Sequence, residues 1–251
     1  MVDRSFADPS LAALYERLNP WGPEDDFYLD LVTGAGSVLD VGCGTGRLLR
    51  RAYESGHRGR LTGLDPAAAM LVRARRAAPG VEWLLGDLRT RLWGGEFELV
   101  VMTGHAFQVL VGDEELWICL RAVRAALGPG GQFVFETRNP AARAWETWTP
   151  DRVREVTDGA GRAVRVWHEV HDVHSVDGVP ASERVTFTET FDHPAWDRPR
   201  VSRTTLRFLG AERLSRFLGE AGFAVVEQYG DWGRGPVAPA SPEIITVAEA
   251  T

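Results

Sequence analysis

The chain has 251 residues, 44% of them hydrophobic and 25% charged, and a net charge of −7. The acidic balance argues against a nucleic-acid partner, because phosphate binding usually requires a basic face. No apolar run approaches the roughly 18 residues of a membrane helix, the N-terminus carries no apolar export-signal core, and two cysteines provide neither a disulfide framework nor a metal set. We therefore expect a cytoplasmic protein with neither a nucleic-acid nor a membrane partner.

Helix and strand patterns alternate along most of the chain. Two short helices are predicted at 11–18 and 25–32, separated by the helix-breaking residues Asn-Pro-Trp-Gly-Pro. The following segments are predicted, in chain order, as strand 37–41, helix 47–55, strand 60–64, helix 67–77, strand 81–85, strand 97–102, helix 113–127 and strand 132–137. Strands that alternate with helices at this spacing predict an α/β fold, with a doubly wound, mostly parallel sheet between two layers of helices.

The stretch from about 152 to 208 differs because it shows period-two alternation and no helical pattern. Four alternate residues share one face: Val164, Val166, His168 and Val170. Turn signals stand at Asp158-Gly159 and Asp177-Gly178. We predict three or four antiparallel strands here, after which a helix at 211–221 and strands at 223–229 and 243–248 complete a seven-stranded sheet. The predicted organisation is an α/β domain of residues 1–144 and 209–251, with lid helices at about 10–34, and an inserted antiparallel β region of residues 145–208.

A glycine-rich turn joins the first strand of this sheet to the next helix. Asp40, Gly42, Gly44 and Gly46 occupy alternate positions, in the pattern D-x-G-x-G-x-G. Glycines there permit positive φ and close approach of a ligand, and the helix that follows directs free N–H groups at the turn. A dinucleotide fingerprint would need its third glycine where Arg47 stands. A nicotinamide-dependent oxidoreductase is therefore the less favoured alternative.

The glycine motif resembles motif I of the class I S-adenosylmethionine (SAM)-dependent methyltransferases. The resemblance covers the first 140 residues and the last 40, and it implies a Rossmann-like methyltransferase fold with SAM as cofactor and S-adenosylhomocysteine as product. It implies cofactor roles for a series of strand-end residues: Asp65 at the ribose hydroxyls, Pro66 and Met70 against the adenine, Asp87 at the adenine amino group and Leu88 at a ring nitrogen. Asp40 is expected to act indirectly by orienting the glycine loop. The structural alternative for Asp65 and Asp87 is helix N-capping.

The end of the fourth strand is where the resemblance places the reacting methyl group. Thr103 and Gly104 are expected to meet the methionine part of SAM. His105 is a candidate base or acceptor-orienting group, and its alternative is a contact to cofactor or loop. Tyr15 and Trp21 are candidate lid contacts to the cofactor or, alternatively, packing residues. Cys43, inside the turn, is expected to be a small buried side chain.

The acceptor is predicted to be a small organic molecule, methylated on nitrogen or oxygen with a slight preference for nitrogen. Arg138, Asn139 and Trp167 are candidate acceptor contacts, although sheet packing also explains the tryptophan. His168 and His174 share a strand face that His171 does not, so we predict no metal site. A module that binds SAM without catalysis is the other alternative, and exposed insertion strands make a homodimer possible.

Overall fold

The computed structural model describes residues 2–176 and 182–251. Its strands are β1 (Ser37–Val41), β2 (Arg60–Asp65), β3 (Glu82–Leu85), β4 (Phe97–Met102), β5 (Leu127–Arg138), β6 (Arg154–Thr157), β7 (Ala163–Ser175), β8 (Ser182–Asp192), β9 (Arg200–Leu209), β10 (Phe223–Tyr229) and β11 (Glu243–Ala250). Its α-helices are α1 (Arg4–Ala7), α2 (Pro9–Ala12), α3 (Tyr15–Leu18), α4 (Pro23–Gly34), α5 (Arg47–Glu54), α6 (Ala68–Ala77), α7 (Asp113–Ala126) and α8 (Ala211–Glu220).

Seven strands form one sheet in the order β10-β11-β5-β4-β1-β2-β3. Neighbouring strands from β5 to β3 are parallel, and β11 runs antiparallel to both β5 and β10. One buried cluster fills the face covered by α7 and α8, and a second fills the face covered by α4, α5 and α6. The doubly wound, mostly parallel sheet predicted from the sequence is confirmed.

The boundaries of α7 illustrate how closely pattern and structure agree. The predicted core stripe is confirmed at Leu116, Leu120 and Val123, whose side chains are fully buried. Leu127 was included in the predicted helix, but its backbone is extended, with φ −83° and ψ 133°, and it begins β5. The glycine-rich segment after it therefore belongs to the start of the strand.

The inserted region forms a separate four-stranded antiparallel sheet in the order β6-β7-β8-β9. Val164 and Val166 on β7 are buried against Leu11, Leu14 and Leu18 of the N-terminal segment. The turn after β6 closes where the Asp158 N–H donates to the carbonyl of Arg162. The predicted turn at Asp177-Gly178 lies outside the described residues.

The N-terminal segment differs from the single helix predicted at 11–18. It comprises the short helices α1, α2 and α3. Asp8, whose backbone is extended, separates α1 from α2, and the Leu14 N–H bonds to the Leu11 carbonyl in a tight i−3 turn between α2 and α3. Arg200 of β9 holds Asp8 at 2.7 Å, and Thr204 of β9 donates to Asp3 at 2.7 Å. These bonds cover one edge of the inserted sheet, and a homodimer through its strands stays a prediction. Among the helices of the described residues, none is long and apolar enough to cross a membrane.

Candidate active site

The glycine turn between β1 and α5 has the conformation that its sequence predicts. Gly42, Gly44 and Gly46 have φ of 79°, 55° and 74°, which side chains rarely adopt. A Cβ on Gly46 would lie 2.2 Å from the Trp83 ring, and a Cβ on Gly42 would lie 2.9 Å from Ala106 Cβ. The turn therefore tolerates no side chain at these two positions.

A carboxylate from the next strand holds the turn in place. Asp65 Oδ2 accepts the Gly44 N–H at 2.8 Å, and Oδ1 accepts the Ala67 N–H at 2.7 Å. The bond to Ala67 is the local capping contact that was the structural alternative for this residue. Asp65 makes the hydrogen bond to the glycine loop, whereas Asp40 Oδ1 has no hydrogen-bond partner among the described residues. A role of Asp40 in orienting the loop stays a prediction.

A cavity of about 410 Å³ opens at the carboxyl edge of the sheet. The α/β domain contributes a predicted set to its lining: Asp40, Gly42, Cys43, Thr103, Gly104, His105 and Arg138. The inserted sheet forms the facing wall through residues of β7, β8 and β9. The cavity thus lies between the glycine turn and the insertion, with the N-terminal segment beside it.

Tyr15 lies on the glycine-rich side of the cavity, as its candidate role requires. A Cβ atom on Gly44 would lie 3.9 Å from the Tyr15 ring, and a Cβ atom on Gly104 would lie 3.4 Å from the Tyr15 hydroxyl. Met70, fully buried, packs in the same cluster as Ala12 and Tyr15. The N-terminal segment therefore covers this end of the sheet edge, including the region where adenosine contacts were predicted.

The other predicted adenosine contacts lie outside the cavity lining. Pro66 is exposed, and Leu88 is buried in the core beside α7. Asp87 accepts the Arg89 N–H at 2.8 Å and pairs with the Arg89 guanidinium. The structure shows Asp87 in the capping role that was its alternative, and its cofactor role stays a prediction.

His105 is held by bonds to two glutamates. Its backbone is left-handed, with φ of 62°, a rare conformation for a residue with a side chain. Its N–H donates to Glu136 Oε1 at 2.8 Å, and its Nε2 lies 3.0 and 3.1 Å from the carboxylate oxygens of Glu243. The histidine ring is thereby fixed at the cavity wall.

Sequence reasoning missed both glutamates. Glu136 is 2% exposed and also accepts a bond from the Tyr28 hydroxyl of α4. An acid within the apolar strand sequence Phe-Val-Phe-Glu was a signal that could have been used. Glu243 had no local signal, because only the antiparallel pairing of β11 with β5 brings it opposite Arg138.

Three candidate contacts lie outside the lining of the cavity. Asn139 donates to the carbonyls of Ala238 and Ser241, so it fastens a loop. Trp167 is adjacent to His168 on β7 and therefore lies on the opposite strand face, outside the cavity lining. Trp21 is 36% exposed, and its ring contacts the guanidinium groups of Arg47 and Arg51 in a separate shallow pocket.

Three histidines of β7 bond to three different partners. His168 lies 3.5 Å from Glu189, His171 contacts the Thr188 hydroxyl, and His174 contacts Asp172. Over residues 2–176 and 182–251, no group of three metal-ligating side chains converges.

Burial and mutual repulsion control the charge of the cavity acids. Burial, with the charges of Asp65 and Glu136, raises the pKa of Asp40 to about 8. Burial also raises the pKa of Glu136 and that of the Cys43 thiol, which keeps Cys43 protonated as expected for an inert side chain. A cation in this cavity would favour the ionised carboxylates.

The residues present fit SAM, which carries a sulfonium and an ammonium group. Asp40 Oδ1 and Thr45 Oγ1 are buried without hydrogen-bond partners in the described chain, and both residues line the cavity beside the glycine turn. Buried polar atoms of this kind need a partner. The fold and the site therefore define an α/β protein with a nucleotide-type glycine turn and an acidic cleft for a cationic ligand.

Comparisons with known proteins give the family. A family model described as a methyltransferase domain matches residues 38–131. An uncharacterized methyltransferase of Mycobacterium tuberculosis is 30% identical over 195 residues, which cover 75% of this chain and 67% of that protein. The chain belongs to the class I SAM-dependent methyltransferases, and its cofactor is SAM.

Two further relatives have names that state a substrate. The 2-phytyl-1,4-naphtoquinone methyltransferase of Thermosynechococcus vestitus is 33% identical over 54% of this chain and 65% of its own length. The dTDP-3-amino-3,6-dideoxy-alpha-D-glucopyranose N,N-dimethyltransferase of Streptomyces fradiae is 35% identical over 51% of this chain and 48% of its own length. The chain thus spans less than two thirds of either relative.

A solved structure shares the whole fold. The CcbJ methyltransferase from Streptomyces caelestis aligns over 100% of both chains, with a TM-score of 0.74 and 21% identity. The inserted antiparallel sheet is therefore part of a fold that this methyltransferase shares.

Proposed function

We propose that this protein transfers the methyl group of SAM to a small organic molecule, with an amine nitrogen as acceptor and His105 as base. The observation that carries this proposal is the excess of carboxylates where the acceptor is expected to bind, between His105 and the inserted sheet. Glu136, Glu189 and Glu243 line this part of the cavity, where Arg138 is the arginine of the described lining. The other lining arginine, Arg47, is paired with Asp25, at 2.7 Å from its Oδ1. An acidic cavity attracts an ammonium group and repels a carboxylate.

Arg138 offsets only part of this charge, because its one guanidinium interacts with both Glu136 and Glu243 and is held by contacts inside the protein. It donates to Gln108 Oε1 at 3.0 Å, and its Cζ lies 5.3 Å from the centre of the Trp148 ring. Burial lowers the pKa of Arg138. We therefore assign Arg138 to the support of the cavity wall and expect an acceptor without an acidic group at this point.

When bound, SAM would supply an electrophilic methyl group: an amine lone pair would attack the methyl carbon in line, and S-adenosylhomocysteine would leave as the neutral thioether. An ammonium acceptor must first lose a proton. If His105 Nε2–H donates to the Glu243 carboxylate, Nδ1 has the free lone pair that can take this proton. Glu243 then fixes the ring and stabilises the imidazolium, as a carboxylate does in a catalytic triad.

For the cofactor, we propose contacts around the glycine turn. Asp65 accepts two backbone N–H groups and retains lone pairs for the ribose hydroxyls. Thr103 and Gly104 would meet the methionine part, and Tyr15 would close over it. Asp40 would then lie beside the cationic end of SAM.

The substrates named for relatives support a small organic acceptor. One relative is named for a naphthoquinone and the other for the N,N-dimethylation of an amino sugar nucleotide. Transfer to a hydroxyl remains the second possibility within the same chemistry. It would need stronger removal of a proton than an amine does, and His105 is the base that the site offers.

Labelled methyl transfer to three matched acceptors tests the proposal. Benzylamine, benzyl alcohol and benzoate share an aromatic body and differ in the reacting group. We expect benzylamine to be methylated at least tenfold faster than the other two. Faster transfer to benzyl alcohol or benzoate, in protein that binds S-adenosylhomocysteine, would contradict the amine assignment.

A further inference from the structure

The inserted sheet presents one ionisable pair to the cavity within the described lining. His168 on β7 and Glu189 on β8 are directly opposite in the strand register, with 3.5 Å between Nε2 and Oε1. Their side chains are 28% and 23% exposed, and both residues line the cavity. A ligand in the cavity can therefore reach this pair.

The surroundings of the pair on the inserted sheet are mostly apolar; the polar exception in the described lining is Thr204, whose hydroxyl donates to Asp3. Phe187, Phe191 and Leu206 line the same wall. Trp148 lies behind it, with its ring 4.7 Å from the Phe187 ring and 6.2 Å from the His168 ring. A carboxylate on an apolar wall loses hydration and needs a strong partner, and a 3.5 Å contact to His168 leaves most of its hydrogen-bonding capacity free.

The α/β domain and the inserted sheet thus present similar polar groups to the cavity. His105 and Glu243 lie on the α/β domain, at the edge that holds the glycine turn, whereas His168 and Glu189 lie on the insertion. We infer that Glu189, oriented by His168, binds a second ammonium group of the acceptor while the first reacts beside His105. The acceptor class is then a diamine whose two nitrogens are separated by an apolar or aromatic spacer.

This inference rests on the proposed amine methylation and names a specificity-determining residue for it. A hydrogen bond to a charged group contributes enough to change affinity by about 10- to 100-fold. Glu189 would therefore lower the KM of a diamine relative to a matched monoamine, with a smaller effect on kcat. A residue with a purely structural role would not distinguish the two acceptors.

The test compares benzylamine with 3-(aminomethyl)benzylamine. We expect the wild-type protein to show at least a tenfold lower KM for the diamine, and tighter calorimetric binding of it in the presence of S-adenosylhomocysteine. Glu189→Gln should bring the ratio of the two KM values close to the statistical factor of about two that is set by two equivalent amines. Glu169→Gln is the matched control, because Glu169 is exposed on the opposite face of β7 and should keep the wild-type ratio.

The possible outcomes distinguish binding of a second ammonium group by Glu189, here called the second anchor, from the proposed amine methylation. Equal KM values for both amines in the wild type, with turnover, would overturn the anchor and leave amine methylation intact. Binding of S-adenosylhomocysteine without methylation of either amine would overturn both. Equal KM values in the wild type overturn the inference without any variant. If Glu189→Gln fails to fold, Glu189→Asp takes its place, because it withdraws the carboxylate by one methylene group and should also reduce the wild-type ratio; an unchanged ratio in the folded variant would overturn the assignment to Glu189.

Discussion

The two walls of the cavity are built in different ways. The centre of the cofactor wall comes from one short segment, in which β1, the glycine turn and α5 follow each other directly along the chain, and Asp65 at the end of β2 holds that turn. The acceptor wall joins His105 to Glu243 across 138 positions and adds side chains from the inserted sheet. A local segment can be shared by a whole family, whereas a wall assembled from distant segments can change its chemistry while the fold is kept.

The largest effect on turnover is expected from His105, which lies between the cofactor wall and the acceptor wall and is our proposed base. His105→Ala should lower turnover by about 10²- to 10⁴-fold, because a positioned general base contributes that much. His171→Ala is the matched control, since His171 is exposed and bonded to Thr188. A loss of less than about tenfold in steady-state kinetics would make His105 a contact and not a base.

The cofactor wall is tested by two left-handed glycines that flank the same helix. Gly46→Ala should destabilise the protein by about 3 kcal/mol or more, because its Cβ would overlap the Trp83 ring at 2.2 Å. Gly56 has φ of 87° and open space around it, so Gly56→Ala should cost only about 1 kcal/mol for its conformation. Urea unfolding measures both, and equal losses would show that the Trp83 contact does not restrict the turn.

The raised pKa of Asp40 makes the free energy of unfolding depend on pH. Its pKa of about 8 lies above the ordinary value of 3.8, so the folded protein keeps a proton that the unfolded chain loses between these pH values. The contribution of Asp40 to folding stability is therefore present below about pH 4 and is lost as pH rises towards 8. Asp40→Asn should raise the free energy of unfolding at pH 8 by about 1–3 kcal/mol.

Urea unfolding at several pH values between 4 and 8 checks this expectation. The variant should show a smaller fall of stability with pH than the wild type, with the remaining fall due in part to the raised pKa values of Asp65 and Glu136. Parallel pH dependence in both proteins would mean that Asp40 is ionised in the folded state.

The smallest effects distinguish two aromatic residues of the N-terminal segment. Tyr15→Ala should weaken S-adenosylhomocysteine binding by about tenfold, because Tyr15 lies against Gly44 and Gly104. Trp21→Ala should change it by less than about twofold, because Trp21 lies outside the main cavity lining and contacts Asp26, Arg47 and Arg51. Calorimetry compares the two, and a larger effect at Trp21 would place the cofactor elsewhere.

Much of the fold was predictable because the sequence signals for it are local. The strands 37–41, 97–102 and 223–229 have the predicted bounds, since each is a short apolar segment between turns or helix ends. The three short N-terminal helices were not predicted as such, because their breaks come from a tight turn at Leu14 and from contacts with β9. Such contacts depend on tertiary structure.

The site was predictable only where it follows the family motif. Gly42, Gly44, Gly46, Thr103, Gly104 and His105 occupy the sheet edge where motif and spacing placed them. Glu243 could not be found from its neighbours, because the pairing of β11 with β5 brings it to His105. Alternation along β7 places Trp167 on the face opposite His168, but it does not tell which of the two faces lines the cavity, because that depends on how the inserted sheet packs against the α/β domain.

The most direct test of this account is a calorimetric titration with S-adenosylhomocysteine of the wild-type protein and of Asp65→Ala. Asp65 holds the glycine turn through Gly44 and is our proposed ribose ligand. The account predicts binding by the wild type and a loss of at least about tenfold in affinity in the folded variant. Absence of binding to the folded wild-type protein, or equal affinity in both, would contradict a cofactor site at this turn.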